Sequence, residues 1–271
     1  MFEHVINNIN ENAARPESEY MGEEGLLHCS ACNAVTQTKV EILGKIRTVR
    51  CICDCRKKEL EAIKQREAHQ ERERRRNICF SESNMAQWTF QNDDGKDAKM
   101  SGAMQNYVKN FTEFKKTGKG LLLYGTVGTG KTYFAAAIAN SLIDEGYKVL
   151  MTNFASLTNK IQGMFEGKQE FINDLNRYTL LIIDDLGAER KSEFMQEMVF
   201  NIIDSRYRSG LPFIITTNLT MDEIKKPQEI GYSRIYDRIL ERCFPVEVSG
   251  NSRRRQNVRD TYFDIKEKLG L

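Results

Sequence analysis

The stretch KGLLLYGTVGTGKTYFAAAIANSL, residues 119–142, passes from an apolar strand through a glycine-rich turn into an alanine-rich helix. Its central part, residues 125–132, fits the pattern G-x-x-x-x-G-K-[ST]. In this pattern the backbone N–H groups of the turn form a concavity for phosphates, and the dipole of the following helix adds positive potential. The stretch therefore predicts a P-loop that binds a nucleotide.

The P-loop pattern predicts which residues contact the nucleotide and Mg²⁺. Lys131 is predicted to reach the β and γ phosphates, and the Thr132 hydroxyl is a predicted ligand of Mg²⁺. An Asn-Lys-x-Asp element for guanine is missing from the sequence, which favours ATP over GTP. The other predicted nucleotide contacts are Gly125, Thr126, Val127, Gly128, Thr129, Gly130 and Tyr133.

Two later strands end in polar residues that suit hydrolysis. The stretch TLLIIDDLG ends a buried strand with Asp184, predicted to bind Mg²⁺, and Asp185, predicted to orient or deprotonate the attacking water. Glu189 is the next candidate for this base. The stretch PFIITTN places Asn218 at a strand end, where its amide can hold the water against the γ phosphate. The alternative for both stretches is that these residues only form turns, and the preceding P-loop disfavours it.

Two groups of arginines follow. Arg234, Arg238 and Arg242 form one stripe of a helix. We take Arg238 as the candidate finger offered to the nucleotide of a neighbouring subunit; the alternative is a local pair with Asp237 or Glu241. Further on, Arg253, Arg254 and Arg255 begin the last helix, and one of them, taken as Arg254, is predicted to contact the γ phosphate of its own subunit.

From residue 119 onward, strand-like runs alternate with helical segments that start near Lys131, Ala155, Arg190 and Met221. The runs are GLLLYG, KVLMTNF, TLLIIDDLG, LPFIITTN and CFPVEVSG. This alternation predicts an α/β fold with a five-stranded parallel sheet. Ahead of it, residues 56–77 are highly charged and predict a solvated helical linker.

The charge balance and hydropathy of the chain argue against a strongly basic nucleic-acid-binding protein, a membrane-spanning protein and a secreted protein. The chain has 40 Lys and Arg against 38 Asp and Glu, so attraction to nucleic acid must come from local patches. We find neither a membrane-spanning apolar run nor a signal peptide, and we expect a cytoplasmic protein without a membrane partner.

Five of the seven cysteines lie between positions 29 and 55. A C-x-x-C knuckle followed by C-x-C-x-C predicts one tetrahedral Zn²⁺ site, because closely spaced thiolates share a metal. We favour Cys29, Cys32, Cys53 and Cys55 as ligands, with Cys51 as the alternate. His28 is a possible substitute, and redox chemistry is the alternative to zinc.

Together these motifs resemble those of AAA+ ATPases. More narrowly, the chain from about Cys79 onward resembles the bacterial helicase loaders of the DnaC and DnaI type, with IstB-like transposition ATPases as near relatives. The resemblance rests on the P-loop stretch, LLIIDDLG, PFIITTN, SRIYDRI and GNSRRR. It implies three segments: a zinc-binding domain at 1–58 that contacts a helicase, a helical linker at 59–80 and an AAA+ domain at 81–271.

The resemblance also implies a function. We expect an ATPase that loads a hexameric replicative helicase onto single-stranded DNA during replication initiation and associates with itself through its ATP sites. In the loaders, an extra helix ahead of the acidic strand engages DNA; here Lys160, Phe165 and Lys168 occupy that place, although Phe165 has the alternative of packing with Leu157 and Ile161. The alternative functions are a transposition ATPase and a zinc adaptor that uses ATP as a binding switch.

Overall fold

The computed structural model of the chain describes residues 18–42, 44–80, 84–187, 192–250, 252–253, 262 and 265–269. The chain divides into two compact units between Glu71 and Arg72. The division falls inside helix α1 (Asp54–Cys79), which covers most of the predicted linker. The domain boundaries at 58 and 80 stay predictions. Within the described ranges, no helix is both long enough and apolar enough to cross a membrane.

The first unit contains two short antiparallel ribbons. Strand β1 (Glu19–Met21) pairs with β2 (Leu27–Cys29), and β3 (Gln37–Ile42) pairs with β4 (Lys45–Arg50). Among the described residues of this unit, only Cys29, Thr36 and Cys53 are buried. So small an interior supplies little hydrophobic stabilisation, and a unit of this kind depends on a cross-link or a metal.

The second unit is built on a five-stranded sheet whose strands all run parallel, which confirms the predicted α/β fold. The strands are β5 (Gly120–Tyr124), β6 (Val149–Asn153), β7 (Leu180–Leu186), β8 (Phe213–Thr217) and β9 (Cys243–Glu247). Their order in the sheet is β6-β7-β8-β5-β9. Because β7, β8 and β5 are neighbours, the loops that leave their carboxyl ends meet at one edge of the sheet.

Helices cover both faces of this sheet. Short 3₁₀ turns at Asn84–Gln87 and Phe90–Asn92 precede them, and a third lies at Leu175–Arg177. The helices are α2 (Ala98–Lys109), α3 (Phe111–Thr117), α4 (Lys131–Asp144), α5 (Phe154–Gln162), α6 (Lys168–Asp174), α7 (Glu193–Ser209), α8 (Met221–Lys225) and α9 (Ile230–Arg242).

Alternate residues of the strands contribute to two hydrophobic cores, because successive strand side chains point to opposite faces of the sheet. Leu180 and Ile182 belong to the core that contains α2 and α4. Leu181 and Ile183 belong to the core on the other face, with residues of α5, α7 and α9. Both faces of the sheet are therefore covered, which explains the nearly continuous apolar runs in its strands.

A buried arginine fixes the start of two neighbouring strands. Arg206 on α7 is 1% exposed and donates hydrogen bonds to the carbonyl oxygens of Leu175, Tyr178, Thr179 and Pro212. Burial lowers its pKa to about 9. Because these carbonyls lie just ahead of β7 and β8, Arg206 satisfies backbone groups that would otherwise be buried without partners.

Candidate functional site

The glycines of the P-loop are required by close contacts and backbone conformation. Gly125 and Gly128 have φ of 141° and 87°, which other residues rarely adopt. A Cβ on Gly125 would lie 2.4 Å from the Val248 carbonyl oxygen, and one on Gly128 would lie 2.2 Å from Ser252 Oγ. The loop is thus packed against the chain that follows β9, and the sequence pattern reflects this crowding.

Lys131 begins α4 and is 4% exposed. Its Nζ donates to the carbonyl oxygens of Gly125 and Thr126, at 2.9 and 2.7 Å. These bonds hold the ammonium inside the curve of the loop, next to the positive end of the α4 dipole. A phosphate in the loop would meet both of these positive charges.

The two predicted Mg²⁺ ligands touch each other. Thr132 Oγ1 donates to Asp184 Oδ1 at 3.0 Å, and Thr216 Oγ1 donates to the same carboxylate oxygen. Burial raises the pKa of Asp184. A hydroxyl beside a carboxylate is an oxygen donor set that suits Mg²⁺, so these residues fit the predicted ion. Sequence reasoning missed Thr216, although it precedes Thr217 and Asn218 in the stretch we singled out.

Asp185 adopts a left-handed backbone conformation, with φ of 56°. Its N–H donates to Thr216 Oγ1 at 2.9 Å, and the pairing of β7 with β8 shifts register between Ile183 and Leu186. Such a conformation costs free energy outside glycine and is typical of functional sites. The irregularity turns Asp185 toward the cavity, where Asn218 also lies.

These residues surround a cavity of about 350 Å³. It gathers most of the predicted nucleotide contacts together with Asp185 and Asn218. Three further lining residues, Trp88, Asn92 and Asp94, were not predicted to bind the nucleotide, and Arg253 belongs to the predicted arginine triplet. The full lining is Trp88, Asn92, Asp94, Val127, Gly128, Gly130, Lys131, Thr132, Tyr133, Asp185, Asn218 and Arg253.

Arg253 lies on the P-loop itself. Its backbone N–H donates to the Gly128 carbonyl oxygen at 3.0 Å, and its Nη1 lies 3.0 Å from Asp94 Oδ1 and 3.5 Å from Asp93 Oδ1. The sequence pointed to Arg254 within the same triplet; Arg254 and Arg255 lie outside the described residues, as does Glu189. Of the three arginines, the structure therefore places Arg253 in the cavity.

Arg238 does not line the cavity. Its Nε donates to Asp204 Oδ1 on α7 at 2.8 Å, and its guanidinium lies 4.8 Å from the centre of the Phe200 ring. The local partners considered from the sequence, Asp237 and Glu241, are not the ones it contacts in the described residues. Arg234, one turn earlier on the same stripe, is exposed. The role of Arg238 as a finger stays a prediction.

The structure brings four cysteine sulfurs together in the first unit. The Sγ atoms of Cys29, Cys32, Cys53 and Cys55 all lie within 4.8 Å of one another, and Cys51 is outside this group. Four thiolates around one Zn²⁺, at about 2.3 Å each, place their sulfurs roughly 3.8 Å apart. The donor set therefore fits a structural Zn²⁺ after a small contraction.

The knuckle also has the backbone of a metal-binding turn. Asn33 has φ of 57°, and its N–H donates to the Cys29 carbonyl oxygen. Hydrogen bonds from the backbone of Ala31 and Cys32 lower the pKa of the Cys29 thiol to about 7. His28 instead has Nδ1 3.0 Å from the Asn33 carbonyl oxygen and stacks its ring on Tyr20. The backbone thus favours the metal-binding thiolate form of Cys29, whereas a side-chain hydrogen bond with Cys55 and burial raise the pKa of Cys32.

The segment proposed for DNA contact forms two helices, α5 and α6. Phe165, in the connection between them, is fully exposed, whereas Leu157 and Ile161 are buried. The alternative that Phe165 packs with those two residues is therefore wrong. Lys160 and Lys168 are exposed on either side of it. An exposed aromatic ring between two lysines is the combination that base stacking and phosphate contact require.

Comparison with known proteins gives one family and several relatives. Residues 53–261 match the family described as IstB-like ATP binding protein. The replicative helicase loader DnaI of Bacillus subtilis is 29% identical over 181 residues, 61% of this chain and 58% of DnaI. DnaC of Escherichia coli is 31% identical over 137 residues, 49% of this chain and 54% of DnaC. The chain thus spans a little over half the length of these relatives.

A putative insertion sequence ATP-binding protein of Sinorhizobium fredii is 31% identical over 147 residues, 53% of this chain and 49% of that protein. Among solved structures, DnaI matches with a TM-score of 0.52 and 28% identity, over 62% of this chain and 92% of that structure. The DnaC helicase loader matches with a TM-score of 0.50 and 22% identity, over 62% of this chain and all of that structure, which supports the fold.

Lys131→Ala should abolish tight ATP binding, because the phosphates lose the cation of the loop.

Asp185→Asn should retain binding and lose turnover, because an amide cannot accept a proton from water. Trp88 is the only tryptophan and lines the cavity, so its emission reports nucleotide binding directly.

The matched control for the first change is Lys148→Ala, which removes an exposed lysine outside the cavity. Normal ATP affinity in Lys131→Ala would refute the site. Full turnover in Asp185→Asn would assign the base to another residue.

The purified protein should contain about one zinc per chain, measured by mass spectrometry, because four thiolates form one site. The double change Cys29→Ser and Cys32→Ser should release it and leave ATP affinity unchanged, since the ATP cavity lies in the second unit. Cys51→Ser is the matched control and should retain the metal. Unchanged zinc in the double variant, or loss of zinc in Cys51→Ser alone, would contradict the ligand set.

Proposed function

Because the chain belongs to the family of IstB-like ATP-binding proteins, we propose that it is an ATPase that loads a hexameric replicative helicase onto single-stranded DNA. The observation that carries the ATPase part is the meeting of Lys131, Asp185 and Asn218 in one cavity. The loader part is supported by the similarity to DnaI over 61% of the chain.

Each residue in or beside the cavity has a separate role in the proposed hydrolysis of ATP. Lys131 and the loop amides would hold the phosphates, while Thr132 and Asp184 would hold Mg²⁺, which would neutralise charge on the phosphates. Asp185 would accept a proton from the attacking water or orient it, and the Asn218 amide would hold that water against the γ phosphate. Arg253 lines the same cavity. It is the candidate cation that would contact the phosphates of the nucleotide bound by its own chain.

The remaining parts of the proposal concern partners. The cysteine-containing unit is the candidate contact for the helicase, as the resemblance to loaders implies. Phe165, Lys160 and Lys168 are the candidate contacts for single-stranded DNA, because all three are exposed and combine a stacking surface with two cations. ATP binding would favour self-association and DNA contact, and hydrolysis would release the helicase.

A transposition ATPase is the second candidate, favoured by the family match and by the relative from Sinorhizobium fredii. The cysteine cluster argues against it, because two of its four ligands, Cys29 and Cys32, lie ahead of the matched residues 53–261. A zinc adaptor with ATP as a binding switch would share the structure but lack useful turnover.

Loading should be measured on circular single-stranded DNA with a purified hexameric replicative helicase. We expect helicase to become topologically bound to the circle only with this chain and ATP, and hydrolysis to rise with single-stranded DNA. Phe165→Ala should reduce DNA binding, with Phe244→Ala, also exposed, as the matched control. Absence of loading together with binding of a transposase would favour the second candidate. Absence of turnover would favour the adaptor.

Arg238→Ala should leave ATP binding nearly unchanged and lower hydrolysis by about 10³ if Arg238 acts on the neighbouring subunit. Mixing it with Lys131→Ala chains should restore some activity, because the mixed interface pairs an intact loop with an intact finger. Arg234→Ala is the comparison on the same stripe, since Arg234 is exposed and Arg238 is paired with Asp204.

Two outcomes would contradict this role of Arg238. Loss of hydrolysis with mixing rescue only in Arg234→Ala would move the finger to Arg234. Loss of stability in Arg238→Ala without a hydrolytic defect would make its contact with the buried Asp204 purely structural.

A further inference from the structure

Two aromatic rings contribute to the lining of the cavity. Trp88 and Tyr133 both line it, with ring centroids 6.1 Å apart and planes inclined at 34°. A flat base inserted between two rings needs roughly 7 Å, twice a van der Waals contact of about 3.5 Å. A base therefore has to pack against the open side of this pair, and Trp88 offers the larger surface.

The chain that carries Trp88 is held by a buried amide. Asn140 on α4 is 1% exposed, and its Nδ2 donates to the carbonyl oxygens of Met85 and Trp88, both at 3.0 Å. A third acceptor is the Ala136 carbonyl oxygen within α4. The two long-range bonds join the 3₁₀ turn at Asn84–Gln87 and the residue after it to the helix that begins in the P-loop.

Arg76 fixes the orientation of this amide. Its Nε donates to Asn140 Oδ1 at 3.1 Å, while its other nitrogens contact Asp144 and Glu73. A guanidinium can only donate, so the amide oxygen must face Arg76 and the NH₂ group must face the two carbonyls. A flipped amide would set like groups against each other on both sides.

Tyr133 holds the same segment from the side of the phosphates. Its hydroxyl donates to the Thr89 carbonyl oxygen at 2.6 Å. Consecutive carbonyls at 88 and 89 thus accept hydrogen bonds from two side chains of α4. Since Lys131 and Thr132 also belong to α4, one helix sets the distance between the phosphate site and the two aromatic rings.

We propose that Trp88 forms the wall against which the nucleobase of the bound nucleoside triphosphate packs, and that Asn140, oriented by Arg76, is the positioning residue that holds this wall. The inference rests on the proposed ATP site and adds to it the residues that set base affinity. Nothing in the hydrogen-bonding network requires contact between Asn140 and the nucleotide.

The test compares a ligand that has a base with one that has none. ATP and inorganic tripolyphosphate are titrated calorimetrically with Mg²⁺ into the full chain. Trp88→Ala should weaken ATP by about tenfold, as the loss of one base–aromatic stack implies, and Trp88→Phe should recover part of this. Tripolyphosphate affinity should not change in either variant.

Asn140→Asp keeps the size of the side chain and the contact with Arg76 but removes both donors to Met85 and Trp88. It should weaken ATP without changing tripolyphosphate affinity, and should make the emission of Trp88 more sensitive to acrylamide in the nucleotide-free protein. Arg76→Lys, which keeps the cation but loses the Nε–H donor, should show a smaller effect in the same direction.

Two control variants match the chemistry of this change elsewhere. Asn176→Asp introduces the same charge at an amide that donates to Ser205, and Thr158→Val removes a fully buried hydroxyl that donates within α5. Neither residue lines the cavity. Both controls should leave the ratio of the two affinities and the quenching of Trp88 at wild-type values.

The possible contrary results separate the inference from the proposed function. Wild-type ATP affinity in Trp88→Ala, or equal losses for ATP and tripolyphosphate in Asn140→Asp, would overturn the inference while the ATP site stands. The same would follow from unchanged quenching in Asn140→Asp. A wild-type chain that binds no ATP would overturn the proposed function and the base wall together.

Discussion

The burial of helix α4 is the constraint on which the second unit depends. Ten of its 14 residues are buried, including Lys131 and Asn140. Its run of alanines lets the sheet and the preceding segment approach closely, and a helix so enclosed cannot leave polar side chains without partners. The Lys131 ammonium donates to the loop carbonyl oxygens, and the Asn140 amide donates to the carbonyl oxygens of Met85 and Trp88. The contacts of Lys131 with the loop and those of Asn140 with the segment before α2 thus arise from the same requirement.

The sequence was sufficient for the parts of the site that depend on local pattern. Apolar runs identify the strands, and parallel strands bring their carboxyl ends to one edge, so the meeting of Thr132 with Asp184 follows from chain order alone. Trp88 could not be found in this way, and the arginine triplet could be located without selecting Arg253. No spacing rule links either residue to a loop that lies some 40 residues after Trp88 and 120 before Arg253. Their place depends on packing of the segments around α4 and Gly128, which only the folded chain reveals.

Arg238 shows the same limit in a charged residue. Helical spacing suggests partners on its own helix, whereas its actual partner, Asp204, lies on α7. Asp204 is 6% exposed, and a carboxylate at that depth needs a cation nearby. Any action of Arg238 on a neighbouring subunit would therefore have to leave Asp204 to Arg208, the other arginine that contacts it. The contact of Arg238 with Asp204 opposes such a movement, whereas the exposed Arg234 has no comparable restraint from Asp204.

The two units differ in what stabilises them. The second has a hydrophobic core on each face of its sheet, and the buried Arg206 and Asn140 donate to carbonyl oxygens of the same unit. The first buries only three of its described residues, two of which are cysteines of the four-sulfur cluster. Hydrophobic burial of that extent cannot offset the entropy of ordering two ribbons, and metal–thiolate bonds at the four-sulfur cluster would supply the missing free energy. Metal content should accordingly control the first unit, while nucleotide binding acts on the second, and each can respond to its own ligand.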